Sequence, residues 1–185
     1  MDLVRASHLY KVFGKNERQV IERLKAGESR EELASLGTAA VIDVSFEVAK
    51  GETFVVMGLS GSGKSTLIRM INGLWSPSEG TVEVAGKVVS DMNDAQLRAL
   101  RRDHVSMVFQ HFALLPHLTV RENAAYGLKL QGKLKQKERL EKANEWLNTV
   151  GLNGWGDKYP HQLSGGMQQR VGPVSYTHSL MARGR

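Results

Sequence analysis

Two short stretches of this chain have the residue types and spacing of an anion site. The first, Gly58-Leu-Ser-Gly-Ser-Gly-Lys64-Ser65, fits the pattern G-x-x-x-x-G-K-[ST] in full, and Thr66, which follows it, is a further candidate for binding the nucleotide. Glycines so spaced let the backbone curl with its N–H groups turned inward, which makes a cradle for phosphate. Gly58, Ser60, Gly61, Ser62 and Gly63 would form that cradle. Lys64 would reach the β- and γ-phosphates of a nucleotide, and the Ser65 hydroxyl would ligate Mg²⁺. The second stretch is Leu163-Ser-Gly-Gly-Met-Gln-Gln-Arg170. Ser164 is suited to cap a helix whose first turn opens with Gly165 and Gly166, a second place for an anion. Between the two stands Gln110, at the end of an apolar run, where it could touch the Mg²⁺ or an attacking water.

These groups need elements to position them. "TFVVMGL", 53–59, is a compact apolar run that predicts a strand buried on both faces, leading into the glycine loop. Leu67, Ile68, Ile71 and Leu74 fall on one face of a helix over 64–74, whose positive end would point at the phosphate. Strands are expected within 2–14 and over 40–48, a hairpin over 81–89 turning near Gly86, a short helix over 93–102, and a second core strand over 104–109. Residues 15–36 are charged and rich in helix formers. Ser29 with Glu32 is a capping box, so this segment predicts a two-helix insertion. Val20, Ile21, Leu24 and Leu33 would rest on the β domain. From Gln110 the character changes: an apolar loop "HFALLPHLTV", a capping box at Thr119 and Glu122, a helix over 120–131 and a long charged one over 133–150. Residues 1–109 therefore read as a mixed α/β core and 110–172 as a mainly helical part.

Composition narrows the class. The chain has 185 residues, 41% of them hydrophobic, and no cysteine, which excludes disulfides and thiolate metal sites. No apolar run approaches the roughly 18 residues of a membrane span, and no signal peptide is visible. The net charge of +6 is spread among acids, with no basic stripe interleaved with aromatics, so no nucleic-acid partner is expected.

A glycine loop alone says only "nucleotide". The loop, the strand-end Gln110 and "LSGGMQQR" together resemble an ATP-binding cassette (ABC) ATPase, over about residues 1–172. The resemblance implies a P-loop NTPase core of the α/β class with an antiparallel β subdomain and a helical subdomain. It implies ATP and Mg²⁺ as ligands, with Gln110 near the metal and Phe13, in "YKVFG", stacked on adenine. It implies a head-to-tail dimer in which Ser164, Gly165 and Gly166 meet the γ-phosphate held by the second ATPase subunit. The insertion, "VMGLSGSGKST", "MVFQHFALLPHLTV" and "YPHQLSGGMQQRVG" together resemble the ATPase subunits of bacterial glycine betaine/proline betaine importers. That implies a permease, which would receive the "FALLPHLTV" loop through Phe112, Leu114, Leu115 and Leu118. It further implies an extracytoplasmic binding protein, served indirectly, and a place on the cytoplasmic face of the membrane.

The chain departs from that pattern after Gly172. The family continues with a helix and an apolar strand ending in Asp-Glu, the pair that supports Mg²⁺ and polarises the attacking water, and later a switch histidine. Pro173 suits a helix poorly, and 173–185 shows no helical or strand period, so this tail reads as foreign to the family and the core as incomplete at its C-terminal end. Two readings follow: the N-terminal part of an ATP-hydrolysing transport subunit, inactive as written, or a nucleotide-binding or interaction module that never hydrolyses.

Overall fold

β-branched and aromatic residues at alternate positions draw four segments into one antiparallel sheet. β1 is Asp2–Phe13, β2 Thr38–Ala49, β3 Glu79–Val84 and β4 Lys87–Val88, in the order β2-β1-β3-β4. The computed structural model describes residues 2–105, 107 and 114–176. The chain divides into two units, 1–100 and 101–185, and the division falls near the end of helix α3, Asp94–Asp103. The β3–β4 turn is a two-residue one: Ala85 at φ +51° and Gly86 at φ +76° match the twist of the strands they join.

In the first unit, helix α1, Glu17–Lys25, lies against β1. Val20, Ile21 and Leu33 are buried with Tyr10, Val12 and Ala39, as the apolar face of the insertion predicts. The Ser29 capping box forms, with the Ser29 N–H on the Glu32 carboxylate at 2.7 Å and the Glu32 N–H on the Ser29 hydroxyl at 3.3 Å. Yet 30–36 are turns, not the expected second helix. Gly27 and Gly37 bracket a stretch too short to propagate a helix. Ser78 donates to the Glu17 carboxylate and Lys25 pairs with Glu79, which fastens the insertion to the sheet at both ends of α1. Helix α2, Lys64–Ile71, lies against β2 and β3.

The expected core strand over 53–59 is not formed. Residues 52–59 carry no ladder, and Val55, Met57 and Leu59 are 68%, 86% and 85% exposed. A strand is held by a neighbour's backbone, and no described strand pairs with this one. The second expected strand fares likewise where it can be followed: α3 runs to Asp103, and His104, Val105 and Met107 are outside any strand, while 106 and 108–113 lie outside the described residues.

The second unit is helical. α4, Val120–Gln131, begins at the predicted capping box: the Glu122 N–H donates to the Thr119 hydroxyl and the Thr119 N–H to the Glu122 carboxylate. α5 is Gln136–Thr149 and α6 Gly165–Tyr176. Val120, Ala124, Ala143, Leu147, Leu152, Leu163 and Val171 close its core. α6 corrects the expectation that helical structure stops at Gly172: it runs through Pro173, which lacks the N–H for the bond back to the Gln169 carbonyl, and ends at Tyr176. Residues 177–185 lie outside the described residues.

Candidate functional site

The glycine loop is built where β2 meets α2. Gly63 is the N-cap of α2 at φ +88°, a conformation that L side chains rarely adopt. A Cβ there would lie 2.0 Å from the Ala40 carbonyl oxygen of β2, so only glycine lets helix and strand approach so closely. Lys64, the first residue of α2, turns back over the loop. Its Nζ donates to the carbonyls of Gly58 at 2.8 Å and Leu59 at 2.7 Å and to the Ser62 hydroxyl at 3.3 Å. The ammonium thus sits at the loop's mouth and binds its two edges together. Ser65 is exposed at the second position of α2, while Thr66 and Leu67 are buried and anchor the helix beneath it. Gly58, Ser60, Gly61 and Ser62 are exposed, as a surface that receives a ligand requires.

Phe13 closes β1 and is 39% exposed, not sunk in the core. Sequence reading found Phe13 but not its company. Trp75, in the loop after α2, meets it edge to face, with centroids 5.1 Å apart and planes at 76°. The Arg69 guanidinium of α2 covers Trp75 at 4.7 Å, and the Lys11 ammonium lies 5.4 Å from the Phe13 centroid. A lone tryptophan after a helix carries no periodic signal; only the fold brings it to Phe13.

The second stretch belongs to the other unit. The Ser164 hydroxyl accepts from the Met167 N–H at 3.4 Å, which makes it the helix cap the sequence predicts, and the Ser164 carbonyl accepts from Gln168 at 2.9 Å. Gly165 and Gly166 are exposed, and a helix's first N–H groups have no acceptor within the helix. Buried Leu163 and Val171 pin the stretch on either side. The Gln168 side chain donates to the carbonyls of Pro160 at 2.9 Å and Leu163 at 3.2 Å and holds the entry to α6.

The loop before α4 is held by Asn123. This buried side chain donates to the carbonyls of Leu115, Leu118 and Thr119 and accepts from the Leu115 N–H at 2.8 Å. Leu114, expected at the surface, is half-buried against the helical core; Leu115 and Leu118 are also half-buried, and Pro116 and His117 are exposed. Gln110 and Phe112 lie outside the described residues. Among the described residues no cluster of three or more His, Asp or Glu side chains could hold a metal ion.

A family model described as "ABC transporter" matches residues 41–174. The chain is 50% identical over 171 residues to a glycine betaine transport ATP-binding protein, OpuAA, of Bacillus subtilis (strain 168), covering 91% of this chain and 41% of that protein. It is 45% identical to the glycine betaine/proline betaine transport system ATP-binding protein ProV of Escherichia coli (strain K12), covering 89% and 42%. Among solved structures, the ATP-binding cassette MJ0796, in a dimeric post-hydrolysis state bound to ADP and Pi, superposes with a TM-score of 0.78 at 31% identity, covering 96% of this chain and 70% of that one. The chain thus spans about two fifths of the length of the curated relatives.

Proposed function

The chain belongs to the ABC transporter family, and from that membership we propose that it is the nucleotide-binding part of an ATP-driven importer for glycine betaine, proline betaine or a related quaternary amine. The observation that carries the nucleotide reading is the loop itself: Gly63 pressed against Ala40, with Lys64 at the mouth. In this reading the loop N–H groups take the phosphate oxygens, and Lys64 exchanges its carbonyl partners for the β- and γ-phosphates. Ser65 and Gln110 would hold Mg²⁺, which offsets phosphate charge when bound. Phe13 would stack on adenine. The substrate class rests on the relatives' names, 42% to 50% identical to this chain where betaine or trimethylamine N-oxide transport is named.

The same reading assigns partners. Ser164, Gly165 and Gly166 would complete the ATP site of a second subunit in a head-to-tail dimer, in which Gln168 and Leu163 keep the serine at the helix start. The loop 112–120 would face a permease through Phe112, Leu114, Leu115 and Leu118, with an extracytoplasmic binding protein served through it, and the assembly would sit on the cytoplasmic face of a membrane. Among the described residues no helix is long and apolar enough to cross one.

The 185 residues contain no Asp or Glu after Asp157, so by themselves they offer no acidic side chain beyond Leu163–Arg170 to polarise water. A general base typically contributes about 10² to 10⁴-fold. The purified chain is expected to bind ATP through Lys64 and to release phosphate only at background. Binding by calorimetry and phosphate release, each with Lys64→Ala as control, test this. Turnover of about 1 s⁻¹ or faster that Lys64→Ala abolishes would refute the inactivity, and absence of Lys64-dependent binding would refute the nucleotide reading.

A further inference from the structure

The contact between Phe13 and Trp75 is tied to the phosphate loop by two short routes. One runs along α2. Lys64 is its first residue, Arg69 lies in its last turn and covers the Trp75 face, and the Arg69 carbonyl accepts from both the Leu74 N–H at 2.9 Å and the Trp75 N–H at 3.1 Å. The other runs through the sheet. Phe13 pairs with Thr38, and two residues along β2 the Ala40 carbonyl meets Gly63. A single helix therefore carries the phosphate-binding lysine at one end and the clamp on Trp75 at the other.

We infer that Trp75 is a positioning residue for the nucleobase, holding the Phe13 ring edge to face so that a flat heteroaromatic group stacks on Phe13 while its phosphates lie at Lys64. The inference rests on the nucleotide reading of the loop. Phe13 ends its strand and is partly exposed, so its side chain is free to choose among rotamers unless a neighbour selects one. Trp75 is that neighbour, and Arg69 fixes Trp75 in turn by a cation–π contact. The Lys11 ammonium over Phe13 is carried on a long flexible stem, and a stacking base replaces it with its own ring. Pre-selection of the ring's orientation helps only ligands that have a base.

The test compares ATP with inorganic tripolyphosphate on the 185-residue chain by isothermal titration calorimetry. Trp75→Ala is expected to weaken ATP about five- to tenfold, the worth of an aromatic pair, and to leave tripolyphosphate within about twofold. Trp75→Phe, which keeps an aromatic edge, is expected to restore most of the ATP affinity. Arg69→Met, which unpins Trp75 without removing it, is expected to give a smaller loss, again for ATP alone. Equal loss of both ligands in Trp75→Ala, or unchanged ATP affinity, overturns the proposal. If Trp75→Ala does not fold, an Arg69→Met chain with both affinities unchanged overturns it instead. A parent chain that binds neither ligand fails the nucleotide reading itself, whereas one that binds tripolyphosphate as tightly as ATP fails only this inference.

Discussion

Single residues in this chain are constrained by contacts that a substitution would test directly. Gly63 is the sharpest case. Gly63→Ala would set a methyl 2.0 Å from the Ala40 carbonyl while demanding φ +88° of an L residue. β2 and α2 must then separate. We expect a loss of about 1 kcal/mol or more of stability, read by urea denaturation, together with loss of ATP binding; wild-type affinity in Gly63→Ala would show that the loop geometry is not the binding geometry. Glu122 gives a pH-dependent case. The Thr119 N–H and then the Thr119 hydroxyl hold its carboxyl below the usual carboxylate value of 4.5. A carboxylate depressed on folding stabilises fully above its unfolded value, and the contribution disappears as pH falls through the lower folded one. The unit containing α4 should therefore lose stability below about pH 4.5 by way of Glu122. Glu122→Gln should flatten that part of the profile when urea midpoints are compared from pH 6 to about pH 3.

Elements differ in how far their own residues determine them. Ile21 shows what the insertion does for the sheet: it is 2% exposed and covers Tyr10 and Val12 with Val20 and Leu33. Ile21→Ala is expected to cost about 2 to 5 kcal/mol and to leave the ATP affinity of the folded fraction unchanged; a lost affinity at full stability would mean that the insertion acts on the site rather than on the sheet. Helix α4 was legible residue for residue, because Thr119, Glu122 and the apolar spacing act within a few positions of one another. The β3–β4 turn was legible because Gly86 permits the backbone that a two-residue turn needs. The run 53–59 was legible as apolar but not as structure, since a strand exists only when another backbone accepts its hydrogen bonds. The turn over 30–36 kept its cap and lost its helix for want of length. In the site, the glycine loop and Ser164 could be read from local pattern, whereas Trp75 and Asn123 could not, because their partners come from distant sequence or from backbone carbonyls that carry no residue signature.

At the scale of the whole molecule, the chain joins a unit built on a small antiparallel sheet and carrying the glycine loop to a helical unit carrying Leu163–Arg170. Each has its own buried core. Between sheet and loop the molecule leaves Val55, Met57 and Leu59 bare, at positions that share one side of an extended chain. Unpaired backbone with apolar side chains is a template for association. The 185-residue chain is expected to self-associate at micromolar concentration, and Met57→Lys to lower the associated fraction several-fold in sedimentation velocity. Identical sedimentation of the two proteins would assign association to another surface.

That bare run also decides where the chain is open to digestion. Proteolytic enzymes take their substrates as accessible, extended backbone, and chymotrypsin prefers large apolar side chains; Phe54, Met57 and Leu59 offer both. A cut at Leu59 would fall inside the loop that Lys64 closes through the Gly58 and Leu59 carbonyls, and would part β2 from α2. A ligand seated in the loop must cover that bond while leaving Phe54 as accessible as before. The ratio of cleavage at Leu59 to cleavage at Phe54, followed by mass spectrometry as ATP is added, therefore becomes a footprint of occupancy that requires no turnover.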